Sequence, residues 1–262
     1  MQQFFIDVHA HLDDEAFDTT REQILADLQQ NGVQLLINCG SDLPSSKNSL
    51  QLATQHFSIY CVLGCHPHEA KTYDKNFEEF LINNANHAKT VAIGEIGLDY
   101  HYDFSPREIQ RQVFAQQIKL AHTLNLPIVI HTREAWGDTL EILKQNKQYL
   151  TNGVLFHCYN GSAEVTKLLT KEYDAYFSLG GAITFKNFNG FDTISAMPIE
   201  RILTETDCPY MTPVPFRGKT NTPQNVALVA QKLSQQLDLP LQTLCETLKE
   251  NTLRFFKKIK PF

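Results

Sequence analysis

The run Phe4-Phe5-Ile6-Asp7-Val8-His9-Ala10-His11-Leu12 is apolar and strand-like until it ends in His-x-His. Side chains two apart in a strand project to one face, so His9 and His11 lie together with Asp7 behind them. Two neighbouring imidazoles make a poor core but hold a divalent cation well. Four more groups of ligand type close or interrupt apolar runs. Glu95 lies within Val91-Ala92-Ile93-Gly94-Glu95-Ile96-Gly97, and His131 ends Pro127-Ile128-Val129-Ile130-His131. His157 ends Val154-Leu155-Phe156-His157, and Asp207 ends Ile202-Leu203-Thr204-Glu205-Thr206-Asp207. Buried carboxylates persist when paired or bound to a cation. Any one of these residues alone fits a structural hydrogen bond; five strand ends each delivering a ligand type is a joint pattern. Six ligands exceed one tetrahedral ion and suit two ions sharing a carboxylate. The expected arrangement sets His9, His11 and Asp207 on one ion, His131 and His157 on the other, and Glu95 as the bridge. Such a pair activates water for hydrolysis, with Glu95 and Asp207 as the catalytic carboxylates and Asp207 also the proton acceptor. Imidazole-rich ligation suits Zn2+, Mn2+, Co2+ or Ni2+, whereas Mg2+ prefers oxygen but can support turnover.

These groups need a scaffold that gathers distant strand ends. Strand candidates are Phe4–Val8, Gln34–Cys39, Tyr60–Gly64, Val91–Glu95, Pro127–His131, Val154–His157, Ala175–Leu179 and Ile202–Asp207. Amphipathic stretches lie between and after them, among them Thr20–Gln30, Ser105–Leu124, Arg133–Lys147, Ser162–Lys171, Pro223–Gln236 and Pro240–Lys258. Ser105-Pro106-Arg107-Glu108 reads as a helix start with a Ser cap and Pro in the first turn. Strands alternating with helices imply parallel pairing through helical crossovers. An open doubly wound sheet binds at one switch point, whereas the ligand candidates end the first, fourth, fifth, sixth and eighth strands. Only closure brings those ends around one mouth, so the expected fold is a single (β/α)8 TIM barrel over residues 1–262.

With 42% hydrophobic residues the chain can build a sizeable core, and no run is long enough for a membrane span. The N-terminus lacks Lys or Arg before its short apolar run, so it does not read as a secretory signal; a cytoplasmic monomer with no membrane partner is expected. Cys39, Cys61, Cys65, Cys158, Cys208 and Cys245 show no Cys-x-x-Cys pair and read as reduced, mostly packed thiols. Strand alternation is expected to turn Cys158 and Cys208 away from the metals. A net charge of −6 argues against a broad basic nucleic-acid surface but leaves a phosphate substrate open, since metals and local cations reverse the sign within a cleft.

Taken together, these residues resemble the TatD family of metal-dependent deoxyribonucleases, in the amidohydrolase-like superfamily. The resemblance runs nearly end to end. It rests on Asp7-Val8-His9-Ala10-His11-Leu12-Asp13, Gly64-Cys65-His66-Pro67-His68, Gly94-Glu95-Ile96-Gly97-Leu98-Asp99-Tyr100 and Asn125-Leu126-Pro127-Ile128-Val129-Ile130-His131-Thr132-Arg133-Glu134-Ala135. It continues in Phe156-His157-Cys158-Tyr159-Asn160-Gly161-Ser162, Glu205-Thr206-Asp207-Cys208-Pro209-Tyr210 and Arg217-Gly218-Lys219-Thr220-Asn221-Thr222-Pro223. The resemblance implies a (β/α)8 barrel, divalent-metal dependence, the ligand positions named above, and hydrolysis of DNA phosphodiesters, often from the 3′ end. Cys65, Glu134 and Tyr159-Asn160 depart from the usual family residues without removing a ligand.

Phosphodiester cleavage also needs cations for phosphate oxygens. Arg133, Arg217 and Lys219 are expected to contact phosphate, and His66 to contact it or to protonate the leaving group. Glu205 is expected to orient a ligand from behind. Tyr100, Tyr102, Phe104 and Tyr210 could stack on bases, although packing accounts for any one of them. The leading expectation is a 3′–5′ exodeoxyribonuclease on single strands or frayed ends, because a barrel mouth admits a terminus more easily than a duplex. The alternatives are an acyl-ester hydrolase such as a D-aminoacyl-tRNA deacylase, and a non-catalytic nucleic-acid-binding scaffold.

Overall fold

A computed structural model describes residues 4–261 of the chain. All eight expected strands form, as β1 (Phe5–Ala10), β2 (Val33–Cys39), β3 (Ile59–Leu63), β4 (Thr90–Asp99), β5 (Ile128–Arg133), β6 (Val154–Phe156), β7 (Tyr176–Leu179) and β8 (Ile202–Thr204). Each pairs in parallel with the next, in the order β1 to β8. The ring closes where Ala10 bridges Cys208 and the His11 amide donates to the Cys208 carbonyl at 2.8 Å. The helices are α1 (Arg21–Asp27), α2 (Leu43–Gln55), α3 (Lys75–Asn84), α4 (Arg107–Thr123), α5 (Trp136–Gln145), α6 (Ala163–Tyr173), α7 (Phe191–Ser195), α8 (Val226–Leu237) and α9 (Leu241–Phe255). None is long and apolar enough to cross a membrane among the described residues.

Two buried clusters lie where strands meet helices. A third contains Ile6, Ile37, Val62, Ala92, Val129, Leu155, Tyr176 and Leu203. Every strand supplies one of these, which only the interior of a closed barrel permits; Phe255 and Phe256 belong to the same cluster. Burying each such aliphatic side chain contributes roughly 1.5–3 kcal/mol. Beside them the Lys258 ammonium donates to the carbonyls of Ala85, His87 and Thr90, tying the chain's end to the entry of β4.

Some local expectations change. The N-cap of α4 is Pro106, not Ser105. The Ser105 hydroxyl instead donates to the His68 carbonyl at 2.7 Å and accepts the Lys71 amide, so it secures the segment after β3. Arg133 is the last residue of β5 and does not start the following helix. β6 and β8 stop at Phe156 and Thr204, so His157 and Asp207 stand on turns beyond them. Cys158 and Asp207 have positive φ (44° and 55°), so strand alternation sets the direction of neither Cys158 nor Cys208.

Candidate metal centre

The six expected ligands meet at the C-terminal mouth of the barrel. Gly97 makes part of this possible. Its φ is +141°, and a Cβ there would strike the His131 carbonyl oxygen, so glycine alone lets β4 lie this close to β5. Glu95 occupies the floor, 3% exposed. Its Oε1 lies 2.6 Å from His157 Nε2 and 2.9 Å from His131 Nδ1. Its Oε2 lies 3.1 Å from His9 Nε2 and 3.7 Å from His11 Nε2. Asp207 Oδ1 is 3.5 Å from His11 Nε2 and 3.8 Å from His9 Nε2. His9 stacks on His157 with ring centroids 4.0 Å apart.

The outer hydrogen bonds decide which ring atoms face inward. His11 Nδ1 donates to the Cys39 carbonyl at 2.9 Å, which leaves a lone pair on Nε2. His131 Nε2 donates to Asp99 Oδ2 at 3.0 Å, which leaves a lone pair on Nδ1. Those bare nitrogens face the oxygens of Glu95 and Asp207 and the Nε2 atoms of His9 and His157, 3.2 and 3.1 Å away. Acceptors facing acceptors need positive charge between them. Three groups are close enough to hold an ion: His9, His11 and Asp207; His9, Glu95 and His157; and His66, Glu95 and His131. His66 differs from the rest. Its Nδ1 accepts the His68 amide at 3.1 Å, so Nε2 carries the hydrogen and points a donor at Glu95 Oε1, 3.5 Å away.

The charges agree with this picture. Burial disfavours the Glu95 carboxylate, yet His157, His66 and His9 hold its pKa well below the usual range. Burial likewise opposes charge on Asp207, but His11 and His157 keep it ionised. Burial also opposes charge on His11, but Asp207 and Glu95 pull its pKa up to about 9. Burial keeps His66 neutral, consistent with a single ring hydrogen.

A cavity of about 760 Å3 opens above these groups. Its lining includes Asp13, Asp14, Asp42, Glu69, Glu95, Asp99 and Asp207, against Arg133 as the one arginine among the described residues. Tyr102, Phe104 and Tyr210 stand at its rim, 49%, 55% and 55% exposed. Tyr100 instead packs against Arg107 and donates to Asp138. Arg217 and Lys219 do not line the cavity; they stand exposed on the segment after Asp207, over Phe185 and Phe216. Glu205 is buried behind His157, with Oε1 3.7 Å from Nδ1. It accepts the Cys158 amide and the Ser178 hydroxyl.

The family model described as TatD related DNase matches residues 6–257. The chain belongs to this TatD family. The uncharacterized metal-dependent hydrolase YabD of Bacillus subtilis is 38% identical over 96% of this chain and 98% of its own. The TatD homolog YJJV from Escherichia coli K12, a crystal structure, superposes with a TM-score of 0.90 at 30% identity, over 98% of this chain and 99% of that one. A TatD family hydrolase from Entamoeba histolytica shares the fold, with a TM-score of 0.86 at 23% identity, over 99% of this chain and 100% of that one. This TatD protein is therefore a member of a metal-dependent hydrolase family with a TIM-barrel fold.

Two residues of this TatD barrel do not stand out as functional in the sequence. Asp99 fixes His131, and a signal existed, since it lies four residues from Glu95 and thus on the same strand face. His68 places Nε2 3.0 Å from the same Asp99 oxygen and packs on Tyr102 and Phe104.

Asp7 lies fully buried beneath the site. Its Oδ1 accepts the amides of His9 and Thr206, and its Oδ2 pairs with the Thr206 hydroxyl. Burial raises its pKa to about 8 despite those bonds. A carboxyl raised in the fold contributes stability that is complete below its unfolded value, near 4, and is lost as pH climbs through the folded value. Asp7→Asn does not titrate. Its stability relative to the parent should therefore rise from pH 5 to pH 8, by up to ~1.4 kcal/mol per pH unit, and then level off, as thermal scans across that range read. A difference constant with pH means that the folded carboxyl is already ionised.

Proposed function

We propose that the protein is a divalent-metal-dependent exodeoxyribonuclease that hydrolyses DNA 3′–5′ from single-stranded or frayed ends. The observation that carries this reading is one carboxylate, Glu95, shared between two sets of inward-facing imidazoles at the floor of an open cavity with aromatic walls. In this reading His9, His11 and Asp207 would hold one ion and His131 and His157 the other, with Glu95 placed to serve both. Zn2+, Mn2+, Co2+, Ni2+ or Mg2+ there supplies Lewis acidity toward phosphate and lowers the pKa of water.

The chain's own groups do the rest. Asp207, held ionised and facing the cavity, accepts the proton of the attacking water. His66, whose protonated Nε2 lies 3.5 Å from Glu95 Oε1 at the edge of the cavity, would turn that donor to a phosphate or leaving oxygen placed there. Arg133 has no carboxylate partner among the described residues and rests over Tyr102 at 4.8 Å, so its guanidinium is available for phosphate. Glu205 restrains His157 from below. Tyr102 and Phe104 stack at 5.2 Å with planes 10° apart, and such faces hold unpaired bases for about 1–3 kcal/mol each. A duplex offers no free base face, which favours single strands. The cavity's acidic lining makes binding of the polyanion, as well as its cleavage, depend on the ions.

The test is a labelled single-stranded oligonucleotide incubated with protein stripped by chelator and reloaded with each ion. Stepwise shortening from the 3′ end supports the reading. Turnover of D-aminoacyl-tRNA without oligonucleotide cleavage assigns the site to acyl esters. Tight binding without turnover across all ions assigns it to a scaffold.

A further inference from the structure

The barrel mouth is divided by charge. Asp13, Asp14, Asp42 and Glu69 follow β1, β2 and β3 and line the cavity on that side. Arg133 ends β5, Lys186 follows β7, and Arg217 and Lys219 follow β8. Because the strands run in sequence order around the barrel, the acids and these cations occupy different arcs. None of the four cations has a carboxylate partner among the described residues. Arg217 lies over the Phe185 ring at 4.0 Å and Lys219 over Phe216 at 5.6 Å. A cation resting on an aromatic face keeps its hydrogen-bond donors for an anion.

The segment that carries Arg217 and Lys219 is rooted at the metal centre. Buried Asn221 donates through Nδ2 to the carbonyls of Thr206 (2.9 Å) and Tyr210 (2.7 Å), and its amide donates to Pro209 (3.0 Å). These bonds close the two ends of residues 210–221 beside Asp207. The Thr212 hydroxyl donates to the Lys219 carbonyl at 2.6 Å and folds the middle of the segment. The Val214 amide donates to the Thr184 hydroxyl at 2.9 Å, which fastens the segment to the stretch carrying Lys186. Tyr210 and Met211 line the cavity, whereas Val214 and Phe216 stand outside it, 44% and 41% exposed. The segment thus leads outward from the reacting position and presents cations and apolar faces together.

We propose that residues 210–221, with Lys186, form a track for the backbone of the single strand whose end occupies the metal cavity, holding phosphates beyond the one being cleaved. The inference rests on the nucleic-acid reading above and extends it from the cleaved bond to the rest of the strand. The whole chain is acidic, and the acids over β1 to β3 begin directly beside the track, where Tyr210 donates to Asp14 at 3.0 Å, so charge turns a polyanion away from that flank and toward Lys186 on the β7 side.

The test compares the Mn2+-loaded parent with Arg217→Ala/Lys219→Ala and with the charge-retaining Arg217→Lys/Lys219→Arg, on a dinucleotide and on an oligonucleotide of about twelve residues. In the alanine variant the ratio of kcat/KM for the long substrate over the short one should fall about tenfold. The slope of log KM against log salt for the long substrate should flatten by about 1.4, ~0.7 for each phosphate that the variant leaves unneutralised. The charge-retaining variant should restore most of both. Both positions are exposed, so loss of folding does not enter, and circular dichroism confirms it. A parent that cleaves DNA, with ratio and slope unchanged in the alanine variant, overturns the track alone. A parent that neither binds nor cleaves either substrate with any ion overturns the nucleic-acid reading and the track with it.

Discussion

Replacing Glu95 with glutamine should lower kcat/KM for a phosphodiester about 10^3-fold or more and reduce the bound metal from two ions to one or none. The substitution keeps the size of the side chain and removes its charge. Both carboxylate oxygens are in use, one facing His157 and His131 and the other His9 and His11. An amide keeps a single acceptor oxygen and turns hydrogens toward one pair of imidazole lone pairs, so one half of the site faces a donor where it needs an anion. Losing several kcal/mol of Lewis-acid stabilisation corresponds to the stated factor, at ~1.4 kcal/mol per tenfold. Metal content by elemental analysis and initial rates on one preparation read both effects. Full metal content with full activity would remove Glu95 from the bridging role.

That Glu95 was visible in the sequence while Asp99 was not has a physical cause. A carboxylate flanked by Ile93 and Ile96 is anomalous inside an apolar strand. The strand expected from the sequence is Val91–Glu95, which leaves Asp99 outside it. In the structure β4 continues through Gly97 to Asp99, since the missing Cβ is what lets β5 approach. The barrel followed from strand spacing, and the convergence of His9, His11, His131 and His157 followed from closure. Ring orientation could not follow. The roles of His11, His131 and His66 depend on the Cys39 carbonyl, the Asp99 carboxylate and the His68 amide, partners that only the folded backbone brings within reach. The segment holding Arg217 and Lys219 has no periodicity to read. It is shaped by Asn221 and Thr212, so its cations were expected at the cleaved phosphate and lie outside the cavity.

Chelation of the metal should lower Tm by about 10–20 °C at pH 8.5 and by much less at pH 6. Ligand at 100 times its Kd stabilises by about 2.7 kcal/mol per site, and each kcal/mol moves Tm by about 2–4 °C in a chain of this size class. The pH dependence comes from the metal-free protein. Burial opposes charge on His11 and His157, but Asp207 and Glu95 raise the first to about 9, and Glu95 and Glu205 raise the second well above its ordinary value. A raised folded pKa gives stability that is complete below the unfolded value and is lost as pH rises through the folded one. At pH 6 protons therefore occupy the positions that ions would take, and binding must displace them. Toward pH 9 the metal-free protein loses this support while metal affinity rises, so the gap in Tm widens. Thermal scans of stripped and reloaded protein across pH 6–9 check it. A gap that is flat or narrows with pH contradicts the exchange of protons for metal.

The most direct measurement is anomalous diffraction from a crystal soaked in Mn2+. Two peaks should appear about 3.5–4 Å apart with Glu95 between them, one against His9, His11 and Asp207 and the other against His131 and His157. An anomalous map without peaks at Glu95, or with a single ion held by His66, would contradict a dinuclear centre built from these six side chains.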